Sequence, residues 1–262
     1  METKEQSHRR PLPDWLIREG YEDEKVRLVK SGKEAQVWLV HRHTAEASSL
    51  LALKAYKPRL ERSFRNDAIY QEGWVIKSGQ VRRAVRKRTN FGQRAISAMW
   101  MANEFAMLRK FWKEGADVPY AVEEPALCMH DECPDGCPKQ IPNSFLMEYL
   151  GDWETPAPRL VDLRLPDELL PEVFDRIMRN VELFVRLGFV HADLSAYNVL
   201  WWDEKPWIID FPQAVMTRHN QSATDLLYRD LENICSYFRR RGLERDPGEQ
   251  MATLMDYILF GA

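Results

Sequence analysis

Cysteine is scarce in this sequence, with four in 262 residues, too few for a disulfide scaffold. Long hydrophobic runs are missing too. The apolar stretches last only a handful of residues, which excludes a bilayer-spanning helix. The opening METKEQSHRRPLPDW is charged and lacks the apolar core of a secretory signal, so a cytoplasmic location is expected. Glycine (12) and proline (15) are too few for a collagen-like or low-complexity chain. What remains is 45% hydrophobic and 29% charged, with nine Trp, eleven Phe and nine Tyr. That supplies a sizeable core for one large domain or two small ones.

The net charge of −3 hides an asymmetry. Residues 77–94 hold Lys77, Arg82, Arg83, Arg86, Lys87, Arg88 and Arg94 and no acid; this +7 leaves −10 for the rest of the chain. An acidic body with one basic segment suits a local anionic partner such as nucleic acid or phosphate; the plainer alternative is a solvated helix face or mobile loop.

The chain has no internal repeat. Residues 1–25 read as a polar lead-in with one short apolar helix at Trp15–Ile17. Val37–Val40 and Leu50–Tyr56 are runs of strand formers around a polar turn, a β-hairpin entered through Ser31-Gly32-Lys33. Residues 57–94 are charged, and helical spacing begins at Ile96, continuing through Trp100, Met107 and Phe111. Ser144–Leu150 reads as a strand that runs into a linker broken by Gly151, Pro156 and Pro158. Pro171 opens a helix with the stripe Val173, Ile177, Val181, Phe184 and Val185, which Gly188 stops. Val199–Trp202 and Trp207–Ile209 form a second hairpin, and two helices split near Gly242–Gly248 complete the chain. The order predicts an α+β, two-lobed plan with a cleft at the linker: lead-in 1–25, a β-rich N-lobe over 26–147 with a mobile basic loop at 60–94, and hinge plus reduced helical C-lobe over 148–262.

The densest chemistry lies in His191-Ala192-Asp193-Leu194-Ser195-Ala196-Tyr197-Asn198, with Asp210 twelve residues later. Phosphoryl transfer needs a carboxylate beside the attacking oxygen and oxygen ligands for magnesium. Asp193 suits the first role. Asn198 and Asp210 offer the hard oxygen donors that Mg²⁺ prefers. Lys54 lies inside an apolar strand, where an unpaired ammonium is costly, and Glu104 falls on the inner face of the following helix. A Lys54–Glu104 pair would hold nucleotide phosphates. Ser31-Gly32-Lys33 would then turn over them, although one glycine is a weak phosphate loop and Walker spacing is absent.

These segments together resemble a RIO-type atypical serine/threonine protein kinase: SGKEAQVW, LALKAY, NEFAMLRKF, FLMEYLG, VHADLSAYNVLW, WIIDFPQAV and RDLENICSYF. They extend from about Val29 to Phe238, and HADLS-x-x-N with IID-x-x-QAV is the specific part. The resemblance implies a two-lobed protein-kinase-like fold and a kinase or ATPase using ATP and Mg²⁺ or Mn²⁺. Asp193 would be the catalytic aspartate, with Lys54 and Glu104 beside it, and Asn198 and Asp210 the metal ligands. Ser31, Gly32 and Lys33 would cover the phosphates, and a hinge from Met147 to Leu150, through Glu148 and Leu150, would meet adenine. It implies autophosphorylation as well, with transfer to serine as the default; with a compact C-lobe giving a protein substrate little to grip, the nearest acceptors would be Ser63, Ser78 or Thr89 in the basic segment or the Asp210 carboxylate itself. The short stretch before Val26 points to the subfamily without an N-terminal winged helix.

Departures from ordinary kinases refine this expectation. Ala192 stands where an Arg usually reads an activation-loop phosphate, and Pro212 replaces the Gly of a swinging metal loop. Only 52 residues follow Asp210, with no Ala-Pro-Glu signal, so a peptide platform is not expected. An ATPase switch that gates association with a ribosomal RNA–protein particle through 77–94 is therefore a second reading. A small-molecule kinase is a weaker third, because its C-lobe is typically longer. Cys128, Cys133 and Cys137, with four and three residues between them, and His130 form a further candidate, either a zinc site or a thiol-bearing surface hairpin. Cys235 reads as core. The sequence leaves the oligomeric state open.

Overall fold

A computed structural model describes residues 11–57, 78–87, 89–126 and 143–260. The cysteine–histidine cluster at 128–137, Lys77, Arg88 and Ser63 lie outside the described residues.

The first lobe is a five-stranded antiparallel sheet in the order β1-β2-β3-β5-β4. Its strands are β1 (Glu22–Ser31), β2 (Ala35–His43), β3 (Ser48–Tyr56), β4 (Ala121–Ala126) and β5 (Ser144–Glu148). Alternation puts Val37 and Leu39 of β2 on the same face as their partners Lys54 and Ala52 of β3. That face looks into the cleft between the lobes. The lead-in ends earlier than the sequence suggests, because β1 begins at Glu22, and Trp15 lies in a turn rather than a helix. β4 carries no clear periodic signal: Glu123, Glu124 and Pro125 interrupt it, and β5 pairs with it through two register shifts.

Two helices follow β3, α1 (Gly79–Arg86) and α2 (Asn90–Lys113). The basic segment read as a loop over 60–94 is thus helical from Gly79 to Arg86 and again from Asn90. Ser78 caps α1 by accepting from the Val81 amide, and Thr89 caps α2 by accepting from the Gly92 amide. Periodicity from Ile96 alone misses these turns, since α1 buries none of its residues fully. The two helices pack backbone to backbone at Gly92, where a Cβ would fall 2.4 Å from the Ala84 carbonyl group.

The second lobe contains α3 (Leu170–Arg186), β6 (Phe189–Val190), β7 (Val199–Trp202), β8 (Lys205–Ile208), β9 (Val215–Met216), α4 (Ala223–Arg239) and α5 (Pro247–Phe260). The predicted stripe of α3 is buried, including Ile177 at 0% exposure, and Pro sits in its first turn. β7 and β8 form the predicted hairpin, with Val199 opposite Ile208. Gly151 joins the lobes at φ 142°, where a Cβ would lie 2.6 Å from the Thr155 carbonyl oxygen, so only glycine fits. One core runs through both lobes: Phe111 of α2, Phe184 of α3 and Phe211 stack at 4.4–5.4 Å between ring centroids. Asp117, just past α2, reinforces this seam by accepting two 2.9 Å hydrogen bonds from Arg176 of α3. Cys235 is buried in the same core, as expected.

Candidate active site

The cleft is organised around one buried carboxylate. Glu104 is 1% exposed and gathers three donors from different parts of the chain. The Lys54 ammonium donates to Oε1 at 2.7 Å, the Tyr56 hydroxyl donates to Oε2, and the Phe211 amide donates to Oε1 at 3.1 Å. Lys54 and Tyr56 reach the same helix because residues two apart on β3 share a face. Lys54 also donates to Asp210 Oδ1 at 2.7 Å. Burial opposes the charge on Lys54, but Asp210 and Glu104 outweigh it and raise its pKa. Burial likewise opposes ionisation of Asp210, and the Lys54 ammonium overrides it, leaving the carboxyl below its ordinary range. Lys54, Glu104 and Asp210 therefore form a charged triad spanning both lobes.

The loop after β6 supplies the opposite wall. Asn198 donates through Nδ2 to the Asp193 backbone oxygen at 2.8 Å and to Asp193 Oδ2 at 3.2 Å. The Ile209 amide donates to the Asn198 carbonyl at 3.0 Å, which links the loop to the start of the Asp210 turn. Asp193 opens to solvent at the neck between lobes; partial desolvation there, then the nearby Asp210 charge, raises its pKa. Ala192 and Asp210 both adopt left-handed backbone, φ 65° and 75°. Such strain persists only where surrounding bonds impose it.

Those bonds come from residues without a predicted role. Asp230 of α4, 1% exposed, accepts from the amides of Ala192 at 2.7 Å and Leu194 at 2.9 Å. Burial pushes its pKa up to about 8 against the pull of these two bonds. Arg229 donates to the Ala192 carbonyl and Asn233 to that of Leu194. Ala192 itself is 0% exposed. His191 lies 3.1 Å from the Ile209 carbonyl oxygen, and burial lowers its pKa to about 4. The only sequence signal for Asp230 is an acid on the apolar face of a helix, the same signal that singled out Glu104.

A cavity of about 270 Å³ opens above this triad, lined by Gly32, Lys33, Lys54, Glu104 and Asp210. A second of about 450 Å³ adjoins it along Ala52, Met147, Glu148, Tyr149 and Leu150. They share Lys30, Val37, Pro119, Met147 and Ile209, so the space is one cleft with a polar and an apolar end. Lys30 is a further cation at the polar end that the sequence reading passed over. Ser31 closes β1 opposite Gln36 and is not among the residues lining either cavity. The Glu148 carboxylate accepts from the Tyr120 amide at 3.0 Å. The Leu150 carbonyl is taken by the Ala157 amide at 2.9 Å.

An antiparallel-sheet lobe and a helical lobe around a lysine–glutamate pair, with two aspartate-bearing turns supplied by the helical lobe, define a protein-kinase-like fold. The family model of the RIO domain matches residues 39–251. The serine/threonine-protein kinase RIO3 of Bos taurus is 26% identical over 200 residues, covering 76% of this chain and 34% of that protein. The RIO-type serine/threonine-protein kinase Rio1 of Methanocaldococcus jannaschii is 30% identical over 223 residues, 84% of this chain and 65% of that one. The rio1 kinase of Schizosaccharomyces pombe is 30% identical over 227 residues, 86% and 40%. The chain belongs to the RIO family, and it spans about a third of the length of its RIO3 relatives. Among the described residues no helix is long and apolar enough to cross a membrane.

Proposed function

We propose that this chain is an ATP-dependent serine/threonine kinase of the RIO type, with Asp193 as its catalytic aspartate. The observation that carries the reading is the Lys54–Glu104–Asp210 triad at the polar end of a cleft whose other end is apolar. Adenine fits between Ala52, Met147 and the 148–150 backbone, and the phosphates fit beneath Gly32 and Lys33. A Cβ at Gly32 would meet only the Ala35 carbonyl oxygen, at 3.5 Å, so the fold itself does not demand glycine there; a closely approaching phosphate does. Lys54, fixed by Glu104, places its charge against those phosphates.

Asn198 and Asp210 are hard oxygen donors of the kind Mg²⁺ takes. The Asn198 amide nitrogen is committed to Asp193, which leaves the amide oxygen as its ligand atom. A bound Mg²⁺ would supply charge neutralisation at the transferred phosphoryl group. Asp193, with its raised pKa, orients the incoming hydroxyl and receives its proton. The neutral His191 braces the loop through the Ile209 carbonyl.

Incubation with labelled ATP and Mg²⁺ tests the assignment. Phosphate should pass to serine of a protein acceptor or of the chain itself, and Asp193→Ala should abolish transfer while leaving nucleotide binding in place. Transfer undiminished in Asp193→Ala refutes it. Ser78 and Thr89 are candidate self-acceptors because each caps a helix, where added negative charge favours the dipole. Acid-stable label indicates phosphoserine or phosphothreonine; label lost to hydroxylamine indicates the Asp210 carboxylate.

A second reading rests on the basic helix α1. Arg82, Arg83 and Arg86 are exposed on it, a surface suited to the phosphates of a ribosomal RNA–protein particle. There, ATP hydrolysis would gate release. ATP turnover far exceeding transfer to protein would favour that role.

A further inference from the structure

The β1–β2 ribbon carries a side-chain cluster that the cleft chemistry does not use. His41 and His43 are two apart on β2 and so share a face. Glu24 stands opposite His41, and Glu22 opposite His43. The pair between them, Asp23 and Arg42, belongs to the other face. There Arg42 donates to both Asp23 carboxylate oxygens at 2.7 Å, and its guanidinium lies 3.6 Å from the centroid of the Tyr21 ring. Arg42 is 1% exposed. A one-residue slip of β1 would break this bidentate pair and leave the buried Arg42 guanidinium without its carboxylate, so the register is pinned. Pinning it holds two imidazoles and a carboxylate together on the opposite face.

One ligand atom from each of Glu24, His41 and His43 lies within 4.8 Å of the other two. The imidazole rings are 4.9 Å apart between centroids. We propose that these three residues form a binding site for a zinc-class divalent ion. Two imidazoles and one carboxylate suit Zn²⁺ and its neighbours, whereas Mg²⁺ and Ca²⁺ take oxygen donors alone. A tetrahedral ion with bonds of about 2.0–2.1 Å holds its ligand atoms closer than 4.8 Å, so side-chain rotation must close the cluster while the strands stay fixed. Glu22 adds a second negative charge to the same face. Three protein ligands leave one coordination position for water or an exogenous donor.

The site also has a defined neighbour. The Trp153 ring stands edge-on to His41 at 5.0 Å. Arg27 of β1 donates to the carbonyls of Trp153 and Glu154 at 3.2 and 2.9 Å. An ion here would cross-brace the edge strand β1 to β2, next to the linker between the lobes and away from the phosphate end of the cleft.

The test uses the full chain with Cys128→Ser, Cys133→Ser and Cys137→Ser, so that the one thiol left is that of Cys235, which is 0% exposed, titrated with Zn²⁺ by calorimetry and with Co²⁺ by absorption. Saturable uptake of a single ion per chain is expected, with visible cobalt bands and no sulfur charge-transfer band. Adding His41→Ala with His43→Ala, or Glu24→Gln alone, should weaken affinity about tenfold or more while the circular dichroism stays unchanged. Zn²⁺ should raise the thermal midpoint of the parent but not of the double-histidine variant. Absence of saturable uptake by the triple-serine chain, or unaltered affinity in the double-histidine variant, overturns the proposal. Should the serine substitutions disturb folding, the cobalt spectrum of the unsubstituted chain decides. Nitrogen–oxygen bands that vanish with His41→Ala and His43→Ala support the site, and thiolate bands alone refute it.

Discussion

Replacing Glu104 by alanine should be among the most damaging single changes outside the aromatic core. The side chains of Lys54 and Glu104 are 9% and 2% exposed, so little solvent screens the pair. Alanine removes the acceptor of three donors at once. Lys54 keeps Asp210, while the Phe211 amide and the Tyr56 hydroxyl lose this bond. Breaking a buried pair by removing one partner costs about 3–5 kcal/mol. For a chain of this size each kcal/mol lowers Tm by about 2–4 °C, so the midpoint should fall by roughly 6–20 °C. Tyr56→Phe removes the donor to Oε2 and keeps the two on Oε1, so it should cost less, about 1–3 kcal/mol. Glu104→Gln should fall between, because it retains an oxygen but adds an amide among donors. Activity should fall further than stability, since Lys54 is then held by Asp210 alone. Thermal denaturation by circular dichroism gives the first series, and phosphoryl transfer well below the variant's Tm gives the second. A Glu104→Ala protein that melts within a degree or two of wild type, or a Tyr56→Phe loss as large as that of Glu104→Ala, would refute the reasoning.

His191 is 3% exposed, with its pKa lowered to about 4. Below pH 6.5 the unfolded chain binds a proton that the folded chain refuses, so stability should fall as pH drops from 6.5 towards 4, by up to about 3 kcal/mol; urea titrations across that window should lose this component in His191→Gln, and an unchanged slope contradicts the assignment. Gly92→Ala should force α1 away from α2, because the new Cβ would run into the Ala84–Val85 backbone rather than a flexible side chain. Proteolysis between residues 78 and 90 should accelerate while the C-lobe stays resistant; an undisturbed α1 in the variant's amide exchange pattern counts against that contact. Arg82→Glu, Arg83→Glu and Arg86→Glu together should weaken RNA binding and flatten its logarithmic salt dependence by about two units. Identical salt slopes would mark α1 as an ordinary solvated helix.

Much of the site is legible in the chain because it sits on local patterns. Lys54 interrupts an apolar strand, Glu104 interrupts an apolar helix face, and Asp193 and Asn198 lie five apart in one loop. The two lobes, the linker at Gly151, the second hairpin and α3 follow in the same way from period, proline and glycine. Other features depend on contacts between distant segments. Asp230 lies 38 residues from Ala192, and no spacing rule joins a mid-helix acid to the amides of a strained loop. Tyr56 reads as an ordinary strand aromatic until α2 brings Glu104 against it. α1 is hidden because its stability comes from Ser78 capping and from packing on Gly92 rather than from a buried stripe of its own. β4 is hidden because its partner strand, not its composition, makes it a strand. The sequence alone determined which side chains had to escape solvent or pay for burial, since charge and periodicity are local properties. Tertiary structure decided which of them meet, because a carboxylate buried on one helix acquires its role only from the donors that other segments bring to it.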